Sequence, residues 1–454
     1  MRGRRHGNHG HYRSAVMNTK NTGFQYDKDI TTGQSVIYAF QNLIIFMASA
    51  VVMPIVVGYA VGLSQAEVAQ MLQRTFFLCG IMTLLQVKWG HGFPIQEGPA
   101  GLWSGIFLSL AGITSASGGE LTVLRRNLEC ALLICGIYVM LLVCTGLIDK
   151  IGRYFTHTIN GIVIILMSLQ ISASIMKGFT GSASEDPAFK TKSVLIGIFT
   201  LLTILLVLKY AHGFLQSIAT FIGVAAGWIL AIILGTENET LLTAERVMEL
   251  PAIFAWGKPS FDLGITITCV IGATVLLSMC FASIDGMAKT LGEEATRQKM
   301  QRGIFFHGLA ECLTGIYATI AFMPYVSSIG VLEMTKVAAK KPFYLVSGCM
   351  LLMGIFPVIG IFFSGLPSCV GNGALLSIFA MCLTQGWREI MMGGFGKKEE
   401  YVTGISMMIG VGIMFLPSDT FDYLPTAVSC ILSNGMITGV LAAFLLERLL
   451  KDFE

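Results

Sequence analysis

The chain has 454 residues, of which 54% are hydrophobic and only 13% charged, against roughly a quarter charged in soluble domains; this makes it an integral membrane protein. The formal charge of +3 is too small to argue for a nucleic-acid partner, and the absence of a Gly-x-x-x-x-Gly-Lys-Ser/Thr loop speaks against ATP as the direct energy source. The eleven cysteines fall mostly inside apolar runs, with no Cys-x-x-Cys pair and no His/Cys cluster at metal spacing, so they read as small buried hydrophobes; neither a metal nor a cofactor is expected.

Residues 1–29 are rich in Arg, His, Gly and Asn and contain no apolar stretch of signal-peptide type. They read as a disordered cytoplasmic arm, in which His6, His9 and His11 are solvated low-complexity residues in preference to metal ligands. About 20 apolar residues cross a bilayer as a helix. On that ruler twelve full segments run over Gln34–Gly58, Ala66–Val87, Leu121–Ile148, Thr158–Gly178, Ser193–Leu208, Leu215–Leu234, Leu263–Ala282, Gly303–Met323, Pro342–Phe363, Ser368–Trp387, Tyr401–Leu416 and Leu424–Leu449. Two shorter ones are broken by proline: the stretch from Phe93 through Pro94, Glu97, Gly98 and Pro99 to Gly105, and the stretch from Met323 through Pro324 and Ser327-Ser328 to Gly330.

With fourteen crossings the loops alternate sides. The side of the N-terminal arm then carries 22 Lys and Arg residues and the other side 7, which puts both termini in the cytoplasm of a multi-pass cell (inner) membrane protein. The longest outer loop, Gly235–Asp262, is acidic, with Glu237, Glu239, Glu245 and Glu249. An even count that divides seven and seven, with the broken segment third in each half, predicts an inverted repeat. Unwound backbone at membrane depth is tolerated only where protein buries it or a polar cavity receives it. The two breaks are therefore expected to meet around a ligand.

Glu97 is the first candidate for that site, because an ionisable group near the bilayer centre costs at least a few kcal/mol and survives mainly where it functions. At the start of a half-helix its carboxylate would be favoured by the helix dipole and can accept from two ring N–H groups; the competing reading is a helix cap or the partner of a basic group. Ser327 holds the equivalent place in the second break and, with Ser328, either contacts the ligand or caps the following helix. Gln41 can supply paired amide hydrogen bonds or glue helices together, and Trp103 can stack on a planar ligand or face lipid or a neighbouring helix. His307 and Glu311, spaced i, i+4 on one helix face, can form a relay or a static pair, and the place of His307 near the inner end of its segment favours the static pair.

At Ser327-Ser328-Ile329-Gly330-Val331-Leu332-Glu333-Met334-Thr335-Lys336 the chain resembles the signature of the nucleobase–ascorbate transporters, the second type of nucleobase:cation symporters. Gly330 and Thr335 match; Lys336 replaces an arginine, and Ser327 and Ser328 stand where Glu or Gln and Asn are usual. Phe40-Gln41-Asn42 and the run from Leu424-Pro425 to Ser433-Asn434-Gly435 are further points of likeness, and Glu97-Gly98-Pro99 is most similar to a branch of purine permeases. The resemblance implies an all-α polytopic fold of 14 transmembrane segments in a 7+7 inverted repeat, with segments 3 and 10 each a short strand plus a half-helix. Ile95-Gln96 and Tyr325-Val326 would be the strand residues. It further implies a core domain (30–150 and 263–363), a gate domain (151–262 and 364–449), a cytoplasmic end (450–454) and a homodimer. In the eighth segment the family's glutamate is missing from Phe281-Ala282-Ser283-Ile284-Asp285-Gly286, so Ala282 or Ser283, depending on registration, takes its place at the ligand, and Asp285 joins Glu97 as a candidate for proton coupling or only caps its helix.

The reading that results is a secondary active transporter, not an enzyme, importing a purine-type base of the xanthine, urate, guanine or hypoxanthine class. H+ is the expected coupling ion and Na+ the other candidate. The ligand set comprises Glu97, Gly98, Ser327, Ser328, Gln41, Trp103 and Ser283. The alternative is an inorganic or organic anion transporter of the same 7+7 fold, because helix N-termini and serine hydroxyls also suit an oxyanion; Glu97 counts against it.

Overall fold

The computed structural model describes residues 24–148, 156–182, 186–235, 246–417, 420–421, 423–424, 428 and 432–451. His6, His9 and His11, most of the outer-loop glutamates, and Pro425 within the last family-like run lie outside the described residues. In the first half α1 (Thr32–Ala60) and α2 (Gln65–Lys88) lead into strand β1 (Glu97–Pro99) and α3 (Gly101–Ala116). They are followed by α4 (Leu121–Cys144), α5 (His157–Thr180), α6 (Pro187–Tyr210) and α7 (Ala219–Ile233). In the second half α8 (Leu263–Thr290) and α9 (Arg297–Ile316) lead into β2 (Phe322–Pro324) and α10 (Ser327–Thr335). Helices α11 (Lys341–Ile355), α12 (Pro357–Ser364), α13 (Ser368–Met392), α14 (Lys397–Met414) and α15 (Gly435–Leu449) complete the chain. Local sequence fixes several helix starts: Thr31 with Gln34 and Ser64 with Glu67 form capping boxes before α1 and α2, and Asp262 and Thr296 cap α8 and α9.

The two broken segments meet. Strands β1 and β2 pair antiparallel with Glu97 opposite Pro324, Gly98 opposite Met323 and Pro99 opposite Phe322. Backbone bonds from Tyr325 N to Gln96 O and from Ala100 N to Ala321 O, each 2.9 Å, extend the ladder at both ends. Antiparallel pairs alternate between bonded and non-bonded, so both prolines occupy positions whose N–H would point away from the partner, and neither removes a ladder bond. The strands therefore lie two residues later in the first break, and slightly earlier in the second, than the expected Ile95-Gln96 and Tyr325-Val326. Proline placement within the ladder, which depends on the pairing, sets that register.

The packing repeats with opposite polarity. Helix α2 lies on α11 as α9 lies on α4; α1 meets α11 as α8 meets α4; α6 packs on α7 as α14 packs on α15; α5 and α13 pack on each other. Glycine makes both cross-repeat contacts close: a Cβ on Gly136 of α4 would lie 2.5 Å from the Gly308 carbonyl of α9, and one on Gly80 of α2 would lie 2.6 Å from the Ser347 carbonyl of α11. Weak sequence similarity between halves thus coexists with an inverted repeat in the packing.

Several boundaries differ from the expectation. Helix α9 begins at its Thr296 cap and stops at Ile316, and the backbone turns through Ala318 at φ 51° before β2, so His307 sits mid-helix and not near the inner end. Helix α8 continues past Ala282 to Thr290, carrying Asp285 and Lys289 on one face. The segment Pro342–Phe363 is two helices bent by 83° at Pro357, the residue that cannot continue the backbone ladder. The end of the arm is ordered: Gln25 N bonds Lys336 O, Ala338 N bonds Gln25 O, and Lys341 N bonds the Asp27 carboxylate, each at 2.8 Å. Among the described residues seven helices are long and apolar enough to cross a membrane, or eight with α11 and α12 as one span. The expectation of fourteen crossings counts the shorter helices and the two strand–helix segments as well.

Candidate functional site

Glu97 opens β1 at the junction of the two breaks and is fully buried. It precedes the first turn of α3, which begins at Gly101, and so lies in the strand instead of at the helix start that its sequence position suggested. Its backbone N–H, turned away from β2, bonds Thr83 Oγ1 on α2 at 3.0 Å. Neither carboxylate oxygen has a hydrogen-bond partner among the described residues. The nearest cationic candidate is His91, whose Nε2 is 3.8 Å from Oε1. His91 Nδ1 accepts from Phe93 N at 3.0 Å; the proton of the neutral ring therefore sits on Nε2, the nitrogen facing Glu97. A carboxylate held this way has two oxygens with unused capacity to accept hydrogen bonds.

The other expected ligands are placed unequally. Gly98 lies beneath Tyr325: a Cβ there would meet Tyr325 Oη at 2.5 Å, and that hydroxyl donates to Pro99 O at 3.1 Å while the ring stacks on Phe46 at 5.6 Å. Glycine is needed here for the ring to close over the strand. Ser328 is buried and accepts from Gln96 N at 3.1 Å, tying β1 to the start of α10. Ser327 beside it is exposed, as are Val326 and Gly330, so α10 presents an accessible edge immediately next to the paired strands.

Ser283 is also buried, but its hydroxyl is shared between Met279 O of its own helix and Pro324 O at 3.0 Å. It anchors β2 to α8, and its proton is committed to that role. Asp285 pairs with Lys289 at 2.6 Å with its side chain 43% exposed, one turn of helix apart, so it faces the charged end of α8 and not the junction. Gln41 keeps a buried, unpartnered Oε1; its neighbour Asn42, with a similarly unpartnered Oδ1, lines a cavity of about 10 Å³ together with Ser328 and Tyr38. Trp103 is fully buried edge-on against Phe107, 6.5 Å away, and its indole N–H faces the Glu311 carboxylate without closing a hydrogen bond.

Sequence reasoning missed Thr83 and His91 beside Glu97 and named Tyr325 only as a strand residue, not as the ring over Gly98. Tyr325 directly follows Pro324, which was the available signal for it, and His91 lies three residues before Pro94; Thr83 becomes visible only through the pairing of α2 with β1. On the side of the arm, a cavity of about 310 Å³ lined by Tyr26, Lys28, Phe93, Pro94, Lys299 and Lys340 ends at the residues that lead into β1.

Two interrupted segments that meet through short strands inside an inverted helical repeat define the fold of a membrane transporter. Residues 33–419 match the Permease family (Xan_ur_permease), the nucleobase–ascorbate transporter family, and the chain belongs to it. It is 28% identical over 421 residues to YwdJ of Bacillus subtilis (strain 168), which carries a purine permease name, covering 91% of this chain and 95% of that one. To the xanthine permease of the same organism it is 26% identical over 429 residues, covering 93% and 95%. Among solved structures, the murine Slc26a9 anion transporter in its inward-facing state is similar in fold at a TM-score of 0.64 and 13% identity, covering 94% of this chain and 69% of that one.

Proposed function

We propose that the protein is a secondary active transporter that imports a purine-type nucleobase of the xanthine class by proton symport. The observation that carries this reading is Glu97: a fully buried carboxylate, without a hydrogen-bond partner, at the point where the two broken segments pair. Burying an unpaired charge is costly, and a planar base offering adjacent ring N–H groups satisfies both oxygens at once. The exposed Ser327 and the half-buried Gln41 complete the polar surface around the base, while Ser328, Ser283 and Gly98 shape the strand pair that presents it.

Alternating access follows from two bundles: α1–α4 with α8–α12 hold the strands, and α5–α7 with α13–α15 form the gate against which they move. The cavity between Tyr26, Phe93 and Lys340 provides the inner exit, with both termini cytoplasmic, the protein in the cell membrane and a homodimer as the working unit. The likeness to an anion transporter in fold supports a second reading, an oxyanion at the N-terminus of α10, but a carboxylate at the junction repels that cargo. Uptake into vesicles of labelled xanthine, competed by a panel of purines, pyrimidines, sulfate and bicarbonate, decides. Xanthine uptake blocked by purines alone is expected; sulfate or bicarbonate flux indifferent to purines would reverse the assignment.

A further inference from the structure

A second buried acid lies in the repeat opposite Glu97. Glu311, in the last third of α9, is fully buried, and neither of its oxygens has a hydrogen-bond partner among the described residues. His307, one turn earlier, places Nε2 at 3.6 Å from Glu311 Oε1, and neither of its buried ring nitrogens has a hydrogen-bond partner among the described residues. Native interiors leave few such atoms, and here four of them fall within one helical turn. The titratable and polar groups within electrostatic range of Glu311 are Trp103 of α3, Cys135 of α4, and Cys269 and Cys280 of α8, with Cys312 beside it on α9. None is cationic, and among the described residues no lysine or arginine forms an ion pair with it. A permanent partner would make the acid a structural ion pair; a histidine with an unfixed tautomer makes it a site that can gain and lose a proton.

We propose that Glu311 carries the coupling proton, with His307 as its relay and Trp103 as its link to the substrate break. This rests on the transport reading given above. The carboxylate takes up a proton from the outer side and becomes the neutral acid, and the same proton leaves to the cytoplasm when the acid ionises again, so charge crosses with a neutral base. The charged form attracts the Trp103 indole N–H and the neutral acid releases it. Because α3 follows β1 directly, this contact couples the protonation state of Glu311 to the strand that holds Glu97. Cys280 of α8 lies within electrostatic range of both carboxylates. Glu97 reads the base and Glu311 drives it.

The test compares wild type with Glu311→Gln in proteoliposomes by two assays: accumulation of labelled xanthine under an imposed pH gradient, and exchange of labelled for unlabelled xanthine at equal pH. Glu311→Gln is expected to lose gradient-driven accumulation, its ratio with and without the gradient falling to about one, while exchange continues within a few-fold of wild type. Gradient-driven accumulation equal to wild type in Glu311→Gln would overturn the assignment. If that variant does not fold, Glu311→Asp decides: a shifted pH dependence of KM is expected, and a profile superimposable on wild type would overturn it. Wild-type protein that carries no base at all would remove the transport reading and this inference with it.

Discussion

Gly98→Ala tests the contact that closes the strand pair. The new Cβ would stand 2.5 Å from Tyr325 Oη, 2.8 Å from Cζ and 3.0 Å from Cε2, distances that real Cβ atoms do not hold, so the phenol must swing off the strand. It then loses its bond to Pro99 O, about 1 kcal/mol, and its stack on Phe46, about 0.5–1.5 kcal/mol, which together agree with the 1–3 kcal/mol typical of overpacking. If the whole cost falls on the base-binding conformation, xanthine affinity drops by roughly ten- to sixtyfold. Binding to the purified variant measures this, with Tyr325→Phe as the companion that removes the hydroxyl but keeps the ring and is expected to lose about fivefold. Wild-type affinity in Gly98→Ala would show that Tyr325 does not lie over the strand, and the site geometry would have to be redrawn.

Thr83→Val removes the acceptor for the Glu97 N–H and leaves a buried donor unpaired, which is expected to cost about 1–3 kcal/mol in detergent unfolding. Unchanged unfolding would mean that β1 does not rest on α2. Ser283→Ala frees Pro324 O from its tether to α8, with an expected loss of about 1 kcal/mol and weaker transport, read by the same unfolding assay beside uptake. Asp285→Asn breaks an exposed i, i+4 pair worth about 0.3–0.5 kcal/mol; uptake and its response to a pH gradient should stay within twofold of wild type, and loss of the gradient response would return Asp285 to the coupling role.

The prolines made the two breaks readable, because Pro94, Pro99 and Pro324 interrupt runs that otherwise span a membrane, and charge asymmetry supplied their symmetric placement. The register was not readable, since Pro99 and Pro324 are tolerated only at non-bonded positions of a ladder that exists between distant segments. Glu97 stood out by the cost of burying its charge, whereas Thr83, which holds its backbone, is an ordinary threonine on an apolar helix until α2 meets β1. Asp285 shows the opposite case: a carboxylate in the right segment whose helix phase, continued through Lys289, turns it to the exposed face. The depth of His307 and Glu311 was hidden because α9 opens with Arg297, Lys299 and Arg302 and so starts earlier than its apolar run.

The central claim is that a purine-type base is held at the strand junction by the Glu97 carboxylate. Direct binding of labelled xanthine to purified wild type and Glu97→Gln tests it. Loss of two charge-assisted hydrogen bonds, about 1.5–3 kcal/mol each, predicts an affinity at least about a hundredfold weaker in a variant that unfolds at the same temperature or higher. Equal affinity in the two proteins would contradict it.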